Sequence, residues 1–254
     1  MTQLQTSPIN GLKSYAHAHQ WLKDTGRLKW LLIPLIIAIL LFPAYIYGVY
    51  YTTTSSLNGL VSYFGWDAYS WGYWLSFPVV VLIVLFLGYI ILKNLIMVLC
   101  VPLNAYLADQ MMDDLLGKPS QEIPLLQSIF RALAMTFLAV VIGLISTVIL
   151  LAIGFIPVAG AVISLILGIL IQGFLAGMGF FDPVFERLHY PAHQSFKRCM
   201  RLMSHVEGQG IPFVLLFQIP ILGWAVAPTY GTLSGVQYAA KLHQQGQLLP
   251  NMEL

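Results

Sequence analysis

The sequence has few charged residues, and one long stretch of it has none. Lys, Arg, Asp and Glu together make up 9% of the 254 residues, whereas ordinary globular domains contain about 25%. Residues 132–181 lack Asp, Glu, Lys, Arg and His altogether. A water-soluble helix needs a polar outer face, but a helix surrounded by lipid does not. The shortage of charge therefore excludes a water-soluble protein and predicts an integral membrane protein.

Other absences narrow the class of function. Cys100 and Cys199 are the only cysteines in the sequence, so they cannot build a disulfide framework and are predicted to be packing residues. No basic tail alternates with aromatic residues, which argues against nucleic acid as a partner. The chain contains no nucleophile elbow, P-loop or dinucleotide-binding turn. We therefore predict neither an enzyme nor a cofactor.

Metal binding is not predicted either. His189 and His193 are four residues apart, a spacing that metal ligands on one helix often have. However, Pro191 lies between them, and no cysteine or carboxylate completes a set of four ligands.

Two apolar stretches in the first half of the chain predict transmembrane helices. Residues 30–49 are free of charge and would be about 30 Å long as a helix, which matches the hydrocarbon core of a bilayer. A second span is predicted at 71–92, before Lys93. The helical pattern continues to about residue 116, either as one long helix over 71–116 that leaves the membrane or as a span followed by a second amphipathic segment. Residues 50–74 contain many Tyr and Trp but only one charge, which is typical of an aromatic belt at a membrane surface.

The charge-free residues 132–181 predict a helical hairpin, because glycines and a proline interrupt them at 154–160. Each arm would be about 30 Å long. This length is just sufficient to cross a bilayer, so full crossing and partial insertion both remain open. Gly173 and Gly177 are four residues apart and predict a face for close helix packing.

A second hairpin is predicted over residues 208–240. With its turn placed at 219–228, the arms would have about 11 and 12 residues and reach about 18 Å. Such arms cannot cross a core of about 30 Å, so a re-entrant hairpin is predicted. Because irregular backbone inside a membrane must be covered by protein or by water, its tip is expected to face a cavity, a pore or a partner subunit.

Two amphipathic segments, 11–25 and 187–206, are predicted to lie along the membrane surface. The apolar face of the first contains Leu12, Tyr15, Ala16, His19 and Leu22. The second is the most basic part of the chain. None of the twelve Lys and Arg residues lies in the 50–74 loop or at either hairpin tip, so the positive-inside rule places both termini in the cytoplasm.

Residues 1–254 are thus predicted to form one all-α membrane domain. It would contain two long transmembrane helices, two re-entrant or partially inserted helical hairpins, and interfacial amphipathic helices.

Three groups of residues resemble those of a known family. The first group is Gly26, Arg27, Leu28 and Lys29, followed by Leu32, Ile33, Pro34 and Leu35. The second is Pro102, Leu103, Asn104, Leu107, Ala108 and Asp109. The third is Asp182, Pro183, Arg187, Ser195, Phe196, Ile219, Pro220, Leu222, Gly223, Trp224, Ala227, Pro228, Thr229, Tyr230 and Gly231. In this order they resemble the CysZ sulfate-permease family and its wider superfamily, which includes the eukaryotic etoposide-induced membrane proteins.

The resemblance implies two long transmembrane helices and partially inserted hairpins, assembled as a homo-oligomer in the bacterial inner membrane. It also implies uptake of sulfate or a related oxyanion without ATP, to supply cysteine synthesis. A second hypothesis, suggested by the eukaryotic branch, is a membrane organiser or stress-related scaffold that transports nothing.

The candidate anion-binding residues are Gly26, Arg27, Leu28 and Lys29. Backbone N–H groups at a helix start together with a guanidinium group would suit sulfate. The alternative is that these cations only anchor the chain to lipid headgroups.

The candidate pore residues fall into two groups. Gln172 and Gln218 are polar residues in apolar segments and could line a pore, although an inter-helix hydrogen bond would also explain them. Arg187, Arg198 and Arg201 could form a positively charged vestibule that concentrates anions. Contact with phospholipids explains these arginines equally well.

Overall fold

The chain folds into helices joined by short connections. A computed structural model describes residues 8–67, 70–117, 124–157 and 159–248, and within these ranges it contains helices and no strand. The helices are α1 (Pro8–Asp24), a 3₁₀ turn (Arg27–Leu31), α2 (Leu32–Phe64), α3 (Trp71–Leu116), α4 (Leu125–Gly154), α5 (Ala159–Arg187), α6 (Ala192–Arg201), α7 (Met203–Phe217) and α8 (Leu222–Gln244). The all-α prediction is confirmed. Lys118, one of the cations used to predict orientation, and Val158 of the first hairpin tip lie outside the described residues.

Four helical segments in the described ranges are long and apolar enough to cross a membrane. They are Arg27–Phe64, Trp71–Leu116, Leu126–Gly154 and Ala159–Arg187. Many of their large apolar side chains are exposed, such as Leu40, Leu82 and Phe137. Exposed apolar faces on long helices are what contact with lipid requires, so the chain is a multi-pass membrane protein.

α2 and α3 form a long antiparallel hairpin whose register differs from that of the two predicted spans. The Tyr45 hydroxyl donates a hydrogen bond to the Leu85 carbonyl oxygen at 3.2 Å. Residues 30–49 therefore lie beside the part of α3 that begins near Leu85. Only the last part of the predicted span 71–92 lies next to them. The two helices have 33 and 46 residues and are both longer than a hydrocarbon core of about 30 Å. Composition alone therefore could not fix their register.

The second hairpin consists of α7 and α8, and its arms are longer than predicted. α7 has 15 residues and α8 has 23, and Pro228 lies inside α8 instead of in the turn. A proline inside a helix removes one backbone hydrogen bond, but the buried Pro228 is held by the surrounding helices. The predicted arms of about 11 and 12 residues are therefore wrong. α8 alone is about 34 Å long, so arm length does not decide whether it crosses.

The tips of the two hairpins repeat one local structure. Each has the sequence Ile-Pro-x-x-Gly, at 156–160 and 219–223. In each tip the glycine N–H donates to the isoleucine carbonyl oxygen, at 3.0 and 2.9 Å, and the residue before the glycine donates to the proline carbonyl oxygen at 2.7 Å. A Cβ on Gly160 or Gly223 would lie only 2.1 or 2.0 Å from a carbonyl oxygen of the preceding helix. Only glycine fits there, so the shared sequence encodes one turn used twice.

Helices α5 and α7 cross at glycines. A Cβ on Gly177 would lie 2.0 Å from the Val206 carbonyl oxygen, and one on Gly210 would lie 1.7 Å from the Gly173 carbonyl oxygen. The absence of side chains at these positions lets the two backbones touch. The prediction that Gly173 and Gly177 form a close packing face is confirmed.

α1 packs against α7 and α8, with a buried face that differs from the predicted one. Tyr15, Ala18 and Leu22 are buried, whereas Leu12 and Ala16 are exposed. A Cβ on Gly11 would lie 1.7 Å from the Gly208 carbonyl oxygen. This close crossing turns the Gly11 side of α1 toward α7 and leaves Leu12 exposed.

The basic segment predicted as one interfacial helix over 187–206 is divided into three parts. α5 ends at Arg187, where His189 has a left-handed backbone (φ 59°) and the Tyr190 N–H donates to the Phe185 carbonyl oxygen at 3.0 Å. This arrangement closes the end of a helix. α6 then begins after Pro191 and ends at Arg201, and α7 begins at Met203. The prediction of a single helix is wrong because the basic pattern continues across two breaks in the helix, at 188–191 and at Leu202.

Candidate functional site

A cleft of about 810 Å³ lies between α3, α5 and α8, with Ser128 of α4 on its wall. Its charged lining consists of Asp109 and Asp113 from α3 and Glu186 and Arg187 from α5. Its apolar and small lining includes Met97, Val101, Ala105, Ala108, Met112, Gly179, Phe180 and Pro228. Asn104 also lines it, and accepts a hydrogen bond from the Thr229 hydroxyl at 2.7 Å. The cleft is therefore charged near the ends of α3 and α5 and largely apolar beyond them.

The acidic end of α3 lies between two arginines. On one side, Arg27 Nη2 donates to Gln110 Oε1 at 2.8 Å, and Arg27 Nη1 is 3.7 Å from Asp114 Oδ2. On the other side, Arg187 Nη2 donates to Asp113 Oδ1 and to the Gly117 carbonyl oxygen at 2.6 Å. The structure thus brings Arg27, from the predicted anion site, and Arg187, from the predicted vestibule, to neighbouring positions at one helix end.

The Arg27 ion pair is open to exchange. The side chains of Arg27 and Asp114 are 24% and 50% exposed, and an exposed pair of this kind contributes only about 0–1 kcal/mol. Gly26 has a left-handed backbone (φ 67°), and no side chain caps the 3₁₀ turn that follows it. Leu28 and Lys29 are exposed. An oxyanion could therefore replace Asp114 as the partner of Arg27, and the anion-binding role of these four residues stays a prediction.

The other predicted pore residues do not meet at the cleft. Gln172 and Gln218 are both exposed, on α5 and at the second hairpin tip. Arg201 is exposed, whereas Arg198 is buried. The guanidinium group of Arg198 lies 4.1 Å from the Tyr190 ring centroid. Arg198 Nη1 also donates to the Leu248 carbonyl oxygen at 2.6 Å. Arg198 therefore contacts the segment that follows α8, and the pore and vestibule roles of these residues stay predictions.

A buried arginine that the sequence analysis used only as a boundary holds the base of the first hairpin. Arg131 Nη2 donates to Asp182 Oδ1 at 2.6 Å and to Ser195 Oγ at 2.8 Å, and Arg131 Nη1 donates to the Tyr190 carbonyl oxygen. The side chain of Arg131 is only 8% exposed. One guanidinium group therefore joins α4, α5 and the start of α6. The signal in the sequence was that Arg131 and Asp182 border the charge-free run on its two sides.

The thiols fit the predicted packing role. Both cysteines are buried, and burial raises the pKa of Cys199 to about 12. A thiolate is the reactive form of cysteine, so Cys199 is unreactive at neutral pH. In the ranges that the structure describes, no three His, Cys, Asp or Glu residues are placed to hold a metal ion.

Comparison with known proteins identifies the family. The family described as "Sulfate transporter CysZ/Etoposide-induced protein 2.4" matches residues 14–228. The comparison with curated proteins and the comparison with solved structures each gave no match. Because the match covers most of the sequence, the chain belongs to the Sulfate transporter CysZ/Etoposide-induced protein 2.4 family.

Proposed function

We propose that this member of the family is an ATP-independent permease for sulfate or a related oxyanion. It would act in the bacterial inner membrane, with both termini in the cytoplasm, and supply sulfate for cysteine synthesis. It would work as a homo-oligomer and carry out transport, not catalysis. The observation that carries this proposal is the level that the α7–α8 tip reaches beside α2 and α3.

The level of the second hairpin tip can be measured along α2. The Trp30 ring, at the start of the charge-free stretch, lies 5.7 Å from the Tyr106 ring. Trp224, just after the tip, is buried in one cluster with Ala38, and Tyr45 packs against the same cluster. Ala38 and Tyr45 are about 12 and 22 Å beyond Trp30 along the helix. With Trp30 taken as the membrane surface, this level falls short of the far side of a core of about 30 Å, which supports a re-entrant hairpin.

The first hairpin extends further. Gly173 of α5 touches Gly210 of α7, and from that contact α7 continues seven residues to its end at Phe217, about 10 Å. α5, followed from Gly173 back to Ala159, continues fourteen residues, about 21 Å. The α4–α5 tip thus lies about 10 Å beyond the α7–α8 tip, which supports a first hairpin that reaches the far side of the membrane.

Two features support a path for anions. Arg27, Lys29 and Arg201 at the base are exposed or half-exposed and would attract anions there. In addition, residues 218–220 at the second tip are exposed. Irregular backbone inside a membrane must be covered by protein or by water. A second copy of the chain or a water-filled path at this tip would meet that requirement.

Uptake of labelled sulfate into liposomes that contain the purified protein, without ATP, tests the proposal. We expect uptake above that of empty liposomes, and a weaker apparent affinity for sulfate in Arg27→Gln. Lys13→Met, which removes an exposed charge of α1, is the matched control and should behave like the wild type. Uptake equal to that of empty liposomes, by protein that elutes as a single folded species, would refute the proposal.

The second hypothesis, a membrane organiser without transport, is favoured by one observation. Arg131, Arg187 and Arg198 each already donate to oxygen atoms of the protein. Arginines satisfied in this way stabilise the fold and are less free to bind a moving anion. Deletion of the gene separates the two hypotheses: a transporter predicts slow growth on limiting sulfate, and an organiser predicts a membrane-stress phenotype with unchanged growth on sulfate.

A further inference from the structure

Lys93 lies at a position where a membrane protein rarely places a charge. Tyr106 marks the level of Trp30, and Lys93 is thirteen residues nearer the other end of α3, about 20 Å along the helix. It is the only charged residue between 71 and 108. The sequence alone suggested that Lys93 ends the second span. With the level of Trp30 and Tyr106 taken as the membrane surface, Lys93 instead falls inside the membrane core. A charge inside a membrane is costly and usually serves a function.

The ammonium group of Lys93 is directed toward the second hairpin. Its Nζ atom is 5.4 Å from the ring centroid of Tyr89 on α3 and 5.4 Å from that of Phe217 at the end of α7. Among the described residues, no carboxylate forms an ion pair with it. Aromatic faces stabilise a cation but leave its N–H groups free to donate hydrogen bonds. The charge of Lys93 is thus held at the hairpin tip and is not neutralised by a described carboxylate.

A second donor without a partner lies beside the same tyrosine. The Trp224 ring packs edge-on against the Tyr89 ring, with centroids 5.2 Å apart. Trp224 is only 3% exposed, and in the described part of the chain its indole N–H has no hydrogen-bond partner. A buried donor is normally satisfied. The indole nitrogen can only donate, so the missing partner must be an acceptor.

We propose that Lys93 and Trp224, which both contact Tyr89, form an intramembrane binding site for the transported oxyanion beside the second hairpin tip. Sulfate carries negative charge and only acceptor oxygens, so it suits an ammonium group and an indole N–H together. The site rests on the proposed transport function and adds a position partway across the membrane, about 25 Å along α3 from Gln110, which Arg27 contacts. Nothing in the site requires a covalent step.

The test measures sulfate uptake against sulfate concentration in liposomes for four variants. Lys93→Met keeps the length of the side chain without its charge, and we expect its maximal uptake to fall at least tenfold. Lys93→Arg keeps the charge and should retain uptake within threefold of the wild type. Trp224→Phe keeps the ring against Tyr89 but lacks the N–H, and should raise the half-saturating concentration at least threefold. Lys13→Met on α1 is the control and should match the wild type.

Thermal stability separates binding from a structural role. Because Lys93→Met removes a charge from an apolar environment, this variant should melt at the same temperature as the wild type or higher while it loses uptake. Lys93→Met uptake within twofold of wild type would overturn the inference and leave the proposed function intact. If Lys93→Met does not fold, an unchanged half-saturating concentration in Trp224→Phe overturns the inference instead. Wild-type protein without uptake would overturn both proposals.

Discussion

Replacing Gly177 by alanine should force α5 and α7 apart. A Cβ at this position would lie 2.0 Å from the Val206 carbonyl oxygen and 2.8 Å from its carbonyl carbon. An ordinary contact between heavy atoms is about 3.5 Å, so the two backbones must separate by about 1.5 Å. Both sides of the contact are backbone, which cannot rotate away as a side chain could. The separation would also loosen Phe181 and Val184, which are fully buried in the same core.

The expected cost follows from two opposing contributions. Overpacking in a well-packed core destabilises by about 1–3 kcal/mol and sometimes more. Alanine in the middle of a helix is favoured over glycine by about 0.5–1 kcal/mol, which offsets part of that loss. We therefore expect a net loss of about 2 kcal/mol. For a chain of this length, such a loss corresponds to a fall of about 4–8 °C in melting temperature.

Gly179→Ala is the matched control because it makes the same chemical change two residues away on the same helix. Gly179 is exposed, and a Cβ there would have no atom within 4 Å. This variant should gain only the helix preference of alanine, so its melting temperature should stay the same or rise. Melting of both variants in detergent, followed by size exclusion, measures the difference. The expected fall is about 4–8 °C, so a melting temperature of Gly177→Ala within about 1–2 °C of the wild type refutes the reasoning.

Three further predictions concern the hairpin base, pH and insertion. Arg131→Met should lose about 3–5 kcal/mol, measured by thermal melting, because it leaves a carboxylate without its partner. Burial lowers the pKa of His205 below its ordinary 6.5, so the unfolded chain takes up a proton first as the pH falls. Stability should therefore be highest above pH 6.5 and fall below it, and His205→Gln should flatten this dependence. In intact cells, a thiol-reactive probe that cannot cross membranes should label Phe155→Cys but not Ile219→Cys.

Each of these three measurements has its own contradicting result. Arg131→Lys keeps the charge but not the fork of donors, so stability equal to wild type in both Arg131 variants would remove the structural role of that network. Tyr238→Phe removes the hydroxyl that lies 2.7 Å from His205 Nδ1 but keeps the imidazole. The stability of this variant should therefore still decrease as the pH falls below the ordinary histidine pKa of 6.5. Equal labelling of both cysteine variants would contradict the difference in insertion. Background labelling is expected to be low because Cys100 and Cys199 are buried.

The helical class and the close glycine contact could be predicted because both depend on local sequence. A charge-free run needs no partner to be recognised, and two glycines four residues apart lie on one face of any helix. The register of α2 and α3 could not be predicted in the same way. Both helices exceed the thickness of a membrane, so every shift of one along the other leaves apolar residues facing lipid. Only a contact such as Tyr45 with Leu85 selects one register.

The Arg131 network and the extent of α8 depend on contacts between residues far apart in the chain. Arg131 and Asp182 are separated by 51 residues, and nothing in the intervening charge-free run predicts that they pair. Pro228 ordinarily ends a helix, which is why the turn was predicted to continue to that residue. In the structure Pro228 is buried between helices. Packing thus holds a helix that its local sequence disfavours.

The repeated turn explains how one chain can insert two hairpins to different levels. In the Ile-Pro-x-x-Gly tips, backbone N–H groups find carbonyl partners within the turn itself, so the turn tolerates an apolar environment wherever the hairpin ends. Depth is then set by the helices below the tip and by where glycines let α5 and α7 touch. In the proposed function the second tip stops short of the far side, and the path of the anion begins beside it. Lys93 and Trp224 lie beside that tip. Both hairpins have the same turn, so the turn does not distinguish a binding site. The proposed difference in depth between the hairpins does, because it leaves the second tip beside these two donors.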